Sequence, residues 1–543
     1  MGTKDEGLKP LGAGRKRCPL CERPISEKAL AEARWMDPEA LARLEESHPG
    51  WRRMDGACPA CVQHALLMTL LHSGEAALHD GIQSVWPLDA EAAFGALPTP
   101  LRMHADPRYT GKGVTIAFVD SGFYPHADLS QPVNRIRAWV DVSTHRARAK
   151  FFKSNETPQW PGWDDRAVYQ WHGLMTSAVA AGNGWLSHGL YRGLASDAEV
   201  ILVQVRGAHG RVNNASILRA LQWLARNAKG LGVNIVNVSI GGEPVEVLAG
   251  NPIDETVANL FEQGIAVVVA AGNEGHRHLA PPASAPMALT IGGIDDKNLF
   301  DHKEIELWHS NYGETVTGAL KPELVAPSIW LVAPMIPGTP TADEAIGLFR
   351  RRAAGDSTVN ERMAAQKYVT PHYQHVDGTS FAAPLTASVI ACALEAHPGL
   401  PAIRIRALMR AASRPVAGAP QERQGAGVLD AGQALALAVW DRHDRLIEYK
   451  LPPLFRKEEI HFFLHDLEAK EVEVLGSWND WKRPGLKAAH IENGVWKASL
   501  PMLAAGRYAY GFLLDEKRWM DDPANPHKAP DSNGVFNSIL IVP

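Results

Sequence analysis

Cysteine is scarce in this sequence, and so are long apolar runs. Five cysteines occur in 543 residues, four of them in two CxxC pairs, too few to hold so long a chain together by disulfides. No stretch approaches the ~18 unbroken apolar residues of a membrane-spanning helix. The start MGTKDEGLKPLGAGRKRC leads into no apolar segment of the kind a secretory leader carries. These absences set the expectation of a soluble, cytoplasmic protein with no membrane partner. Neither sign of charge dominates: 55 Lys and Arg stand against 60 Asp and Glu, a net charge of −5. There is no clustered basic footprint, so nucleic acid is not an expected partner. Internal repeats and long low-complexity tracts are absent too.

What is present is a large apolar fraction, 45% of the residues, enough for a sizeable core. At roughly 150 residues per domain, the length suggests three or four units. Residues 1–72 hold the CxxC pairs around a helical stretch. Residues 73–105 form a connector that ends in ALPTPLRMHADP. Residues 106–440 alternate short apolar strands with helical patterns. Residues 455–543 are rich in Trp, Tyr and Val between turn signals and read as an all-β sandwich.

In the third segment VTIAFVD (114–120), VILVQV (200–205), NIVNVSI (234–240), IAVVVAA (265–271) and ALTIGGI (288–294) are apolar almost throughout. Strands of that kind are covered on both faces. With helical patterns such as NASILRALQWLARNAKG between them, they predict a doubly wound, parallel α/β sheet. Ligands of such sheets sit at the carboxyl ends of the strands, so the polar residues there matter most.

Four motifs stand at such places. Asp120 closes VTIAFVD and, taken alone, reads equally as a strand-end turn. His172, in WHGLMTSAVAAG, stands at a predicted helix start, where a polar residue is unremarkable. Ser380, in DGTSFAAPLTASVIACALEAHP, opens a helix of small and apolar residues. Serine there is usually a cap, but a helix N-terminus also favours charge developing beside it. Asn273 follows a strand in AVVVAAGNEG and could simply be part of a turn. Together, VDSG, HG, AAGNEG and GTSFAAP resemble the subtilase family in order and context, over roughly residues 106–440.

That resemblance implies a subtilisin-like serine endopeptidase needing no cofactor for its chemistry. Ser380 would be the nucleophile, His172 the general base and then acid, and Asp120 the group that orients and stabilises the imidazole. Asn273 and the Ser380 N–H would form the oxyanion hole. Ser239, Ile240, Gly241 and Gly242 match the family's substrate-binding strand, where a peptide adds as a β-strand. Ala271 and Gly272 join the peptide contacts. Leu174 stands where the family has Thr, a change expected to act on helix packing. NGWLSHGLYRG does not match the family's calcium loop, and calcium is left open. A charged, Ala-rich insertion lies between Val332 and Asp377 and reads as a solvated helix, a lid or a docking hairpin. An unexported peptidase needs restraint, so a regulatory or inhibitory protein is an expected partner beside the peptide or protein substrate. A catalytically silent or gated scaffold that binds peptides, partners or glycans is the rival reading.

Cys18, Cys21, Cys58 and Cys61 form CxxC…CxxC, four thiolates suited to a structural zinc ion, with redox dithiols or an iron–sulfur site as alternatives. VEVLGSWNDWKRP and the stretch that follows it, through NSILIV, resemble the glycogen-binding domain of AMP-activated kinase β subunits and related early-set sandwiches. By that resemblance Trp481, Trp519 and Asn537 would contact a glycan, while Gly511 and Val535 replace a Lys and a Thr of that family. A sandwich used for protein contacts or stability is the plainer alternative.

Overall fold

The computed structural model describes residues 96–442 and 453–542 apart from short breaks, the longest at 160–169. N-terminal to these it describes only 15–20, 24–26, 45 and 51–57.

An eleven-stranded sheet carries the centre of the molecule. Its main strands are β1 (Thr115–Asp120), β2 (Ile136–Asp141), β3 (Arg148–Phe151), β4 (Glu199–Gln204), β5 (Val233–Val238), β6 (Ala266–Ala270), β7 (Leu289–Asp295) and β8 (Leu324–Pro327). They lie in the order β3-β2-β4-β1-β5-β6-β7-β8, continued by Val428–Leu429 and Ser413–Arg414. The run from β2 to β8 is parallel, while β3 is antiparallel to β2.

From β1 the chain passes to β2 and β3 on one side, returns to β4, and then builds β5 to β8 on the other side, and helices cover both faces. Ile116 and Phe118 enter one core with α1 (Gln170–Ala181) and α6 (Thr379–Ala396); Ala117 and Val119 enter the other with α2 (Asn214–Asn227) and α3 (Pro252–Glu262). Side chains alternate across a strand, and here both faces meet helices. That is the physical reason these strands are apolar almost throughout.

Helix α6 is long and apolar enough to cross a membrane by length and composition, yet it is almost wholly buried as the central core helix. Ala382, Ala383, Ala387 and Ala391 let its neighbours approach closely. A shorter helix, Ala402–Ala411, follows it, then Ala431–Arg442.

Residues 96–103, which the sequence reading gave to the connector, pack into this unit. Ala96, Leu101 and Met103 are buried. Arg102 is 1% exposed; its guanidinium grips Asp296 and donates to the carbonyl oxygens of Ile329 (2.6 Å) and Trp330 (2.8 Å).

The insertion is more than a solvated helix. It holds α4 (Pro340–Ala353), α5 (Asn360–Ala365) and a hairpin of β10 (Tyr368–Thr370) and β11 (Tyr373–Val376), with β11 paired to β9 (Leu331–Pro334). Met335, Ala345, Leu348, Val359, Met363 and Tyr368 give it an apolar core of its own.

The C-terminal region forms two antiparallel sheets. One contains β12 (Glu459–His465) and β14 (Val495–Pro501); the other contains β13 (Val472–Gly476), β15 (Gly506–Leu514), β16 (Arg518–Met520) and β17 (Phe536–Val542). Ile460, Phe462, Val474, Tyr510, Phe512 and Leu540 fill the space between them. Phe463 and Val495 point the other way and join the core of the α/β unit together with Leu454, so the first sheet is buried at that point on both faces. Arg507 adds a hydrogen bond to the carbonyl oxygen of Gly318, at 3.2 Å.

Candidate active site

The sheet register gathers the site. Val119 of β1 lies opposite Val238 of β5, which lies opposite Val269 of β6. Asp120, Ser239 and the Ala271–Asn273 turn therefore leave the sheet along one edge, at the carboxyl ends of parallel strands.

Asp120 is fully buried. Its Oδ1 accepts from the Ser121 backbone N–H at 2.6 Å and faces Nδ1 of His172 at 2.7 Å. A carboxylate only accepts, so Nδ1 carries the hydrogen and Nε2 keeps its lone pair. Burial disfavours the imidazolium, but attraction to Asp120 and the hydrogen bond outweigh it, and the pKa of His172 lies above the ordinary histidine value. The imidazole stands between Trp171 (ring centroids 5.3 Å apart) and Phe381 (5.8 Å). Phe381 is the residue after Ser380.

Ser380 lies in the first turn of α6, half-buried, behind Gly378. Gly378 has φ +125°, a conformation glycine adopts without cost and other residues rarely reach. Asn273 is tied to the same turn: its Oδ1 accepts from the Thr379 backbone N–H and from Thr379 Oγ1, each at 2.9 Å. An N–H can only donate, so the oxygen of the Asn273 amide faces Thr379 and its NH2 is left to point elsewhere. A Cβ on Gly378 would meet that NH2 at 3.2 Å, which places the donor over the start of α6.

The Asn273 turn has supports that the motifs do not reveal. Asn311 accepts from the backbone N–H groups of Glu274 (3.0 Å) and His276 (3.2 Å), and its own N–H donates to the Gly272 carbonyl at 3.0 Å. His309 Nδ1 lies 2.6 Å from the Asn273 carbonyl oxygen and donates to it. These contacts link residues more than thirty positions apart, with no local pattern to announce them. Thr176, four residues after His172, supports the site as well, its Oγ1 donating to Asp120 Oδ2 at 2.9 Å.

Ser239 is buried, while Ile240, Gly241 and Gly242 are more exposed beyond β5. Gly242 N–H donates to the Pro281 carbonyl at 2.9 Å, and a Cβ there would lie 1.7 Å from Asn214 Oδ1. Ala271, buried, and Gly272, half-buried, follow the neighbouring strand β6. Leu174 packs with Ala178 and Ile336, a packing role as expected.

Cys18 is buried at the turn of a hairpin made by Arg15–Arg17 and Pro24–Ser26. Cys21, Cys58 and Cys61 lie outside the described residues, among which no group of three metal-ligating side chains occurs. Trp481 and Trp519 meet with ring centroids 5.6 Å apart, and Trp481 is 36% exposed. The Trp519 ring lies over Gly511, where a Cβ would come within 2.3 Å of it. A Lys at 511, as in the resembled family, would not fit beneath that ring. Asn537 is buried at the pairing of β17 with Lys528–Pro530.

The subtilase family model matches residues 111–427, more than half of the chain. Serine protease AprX of Bacillus subtilis is 27% identical over 309 residues, covering 55% of this chain and 61% of that protein. A cuticle-degrading serine protease of Arthrobotrys oligospora is 29% identical over 216 residues, 40% of this chain and 46% of that protein. Subtilisin BL of Lederbergia lenta is 28% identical over 189 residues, 35% of this chain and 58% of that protein. The chain thus spans less than two thirds of each of these relatives. Among solved structures, a protease of Pseudoalteromonas arctica gives a TM-score of 0.45 at 20% identity, covering 65% of this chain and 96% of that one.

Proposed function

We propose that this chain, which belongs to the subtilase family, is a serine endopeptidase acting on peptide or protein substrates. The observation that carries the reading is the pinning of Ser380 from both sides. Thr379 is hydrogen-bonded to Asn273, Phe381 packs on the His172 ring, and His172 is bonded to Asp120.

In this mechanism Ser380 Oγ attacks the scissile carbonyl carbon and passes its proton to His172 Nε2. The oxyanion accepts from Asn273 Nδ2 and the Ser380 N–H. The C–N bond then breaks, His172 protonates the leaving amine, and water resolves the acyl-enzyme by the same steps. Ser239–Gly242 on one side and Ala271–Gly272 on the other would flank the bound backbone, with the glycines admitting a close approach.

Fluorophosphonate labelling and casein hydrolysis, each run beside Ser380→Ala, test this. Both signals should be present in the wild type and absent in the variant. A wild type that neither labels nor cleaves would leave a binding scaffold.

A second reading concerns the sandwich. Trp481 is held at φ +61°, a conformation a bulky residue adopts only under constraint, and it offers an exposed ring beside Trp519. Such a pair suits the flat faces of sugars, which supports a glycan as ligand of this region. Cys18, buried beside the hairpin of Arg15–Arg17 with Pro24–Ser26, would be one of the four ligands of a zinc site, with Cys21, Cys58 and Cys61 as the other three; metal analysis of the intact protein tests that. In this reading the protein works in the cytoplasm, with a regulatory or inhibitory partner limiting access.

A further inference from the structure

Thr176 lies four residues after His172 on α1, so the two side chains share a helix face. It is fully buried. Its Oγ1 stands 2.9 Å from Asp120 Oδ2 and 3.2 Å from the Gly173 carbonyl oxygen. A hydroxyl has one proton to give, and the nearer, charged acceptor makes the stronger bond.

The partners of the Asp120 carboxylate divide unevenly. Oδ1 serves His172 Nδ1, the Ser121 N–H and, at 3.2 Å, Ser121 Oγ. Among the described residues, Oδ2 accepts from Thr176 alone. Ser177, the next residue, provides an internal comparison. It is equally buried, yet among the described residues its hydroxyl bonds only to the helix carbonyls of Gly173 (2.7 Å) and Leu174 (3.0 Å), which is ordinary helix back-bonding. Thr176 reaches out of the helix instead. It can do so because α1 lies unusually close to the turn after Asp120: a Cβ on Gly173 would sit 2.1 Å from the Gly122 carbonyl oxygen.

We infer that Thr176 is a positioning residue for the peptidase reaction, holding the second oxygen of Asp120 so that the first stays on His172 Nδ1. The inference rests on the peptidase reading above. Without the Thr176 hydroxyl the carboxylate is free to turn about its own axis, and the Oδ1–Nδ1 bond that helps hold the imidazolium is loosened. Asp120 is the charged group that raises the His172 pKa, so a change at Oδ2 reaches the base directly.

The test uses Thr176→Val, Thr176→Ser and Ser177→Ala, assayed with a fluorogenic peptide across pH. Thr176→Val keeps shape and removes the donor. It should lower kcat/KM about tenfold, the rate equivalent of one hydrogen bond to a charged group. The loss should fall on kcat, with the acid limb of the profile moved downward. Thr176→Ser should restore both, and Ser177→Ala should change neither. If the Val variant does not fold, Thr176→Ala takes its place, read also by the low-field proton resonance of His172 Nδ1 in a Ser380→Ala background. A Val or Ala variant with wild-type kcat and an unmoved acid limb would overturn the inference, as would failure of Ser to restore them. A wild type that takes no fluorophosphonate label would overturn the peptidase reading and this inference with it, whereas a labelled wild type with an unmoved variant overturns this inference alone.

Discussion

The cleft around Ser380 and the tryptophan face of the C-terminal sandwich are built on opposite principles. In the cleft, orientation comes from directional bonds. Asp120 is held at both oxygens, His172 at Nδ1, and Asn273 at its side-chain oxygen and its carbonyl oxygen. On the sandwich, Trp481 and Trp519 are placed by contact. One ring leans edge-on against the other, and the second lies over a glycine. Hydrogen bonds fix an atom to within a few tenths of an ångström and lose most of their strength when bent, so a site made from them tolerates almost no substitution. A face made by packing offers area, and area is more forgiving. Chemistry needs the first construction, while recognition of a flat ligand can use the second.

The sharpest way to break the comparison is to remove the nucleophile. Ser380→Ala should reduce peptide hydrolysis by about 10^6-fold, as expected when a group acting in concert with His172 and Asp120 is lost, with the fold unchanged by circular dichroism. Residual cleavage within a hundredfold of wild type would mean another nucleophile. Next in size is Asn273→Ala. It should cost about 10^2–10^3 in kcat, or roughly 3–4 kcal/mol, with KM little altered, because the donor acts on charge present only in the transition state. A rise in KM at constant kcat would assign Asn273 to substrate binding instead. The substitution also frees the Thr379 N–H, so a melting curve should accompany the kinetics.

A smaller effect is the position of the acid limb of kcat/KM. The base must be neutral to accept the Ser380 proton. The pKa of His172 is raised by Asp120, so activity should fall as pH drops through a value above the usual imidazole figure of about 6.5. Asp120→Asn should bring the limb down and cut the plateau rate, since an amide offers no charge to hold the imidazolium. An acid limb at or below the ordinary value in the wild type would place the titration on another group.

How far each region could be read from sequence follows from its construction. Asp120, His172, Asn273 and Ser380 each adjoin a strand end or helix start, and the nearly unbroken apolar character of β1, β4 and β6 announced a sheet covered on both sides. The spacing of four between His172 and Thr176 was visible too. What gave it meaning, the close approach of α1 to the Ser121–Gly122 turn, is a tertiary fact carried by the absence of a side chain at Gly173. Asn311 and His309 brace the Asn273 turn from far along the chain. The insertion misled because its charged helices bury few apolar residues, Ala342, Ala345 and Leu348 on α4, and these meet Val359, Met363 and Tyr368 only in the folded chain. Residues 96–103 misled in the same way. Proline and short length suggested a connector, but the buried pairing of Arg102 with Asp296 spans 194 positions.

The smallest expected effect on hydrolysis comes from Trp481→Ala combined with Trp519→Ala. Neither ring is among the contacts of Asp120, His172, Asn273 or Ser380, so cleavage of a short peptide should stay within about twofold, the range usual for substitutions away from core and site. Retention on starch or glycogen should disappear if the pair forms a sugar face, because stacking area is what the substitution deletes. A wild type that is not retained would leave the sandwich as a docked structural element, held by Phe463, Val495 and Leu454 against the core of the α/β unit. Loss of peptide cleavage in the double variant, with melting temperature unchanged, would be the more consequential result. It would mean that a face made by packing and a cleft made by hydrogen bonds are coupled through that shared core, and that the two constructions are parts of one device.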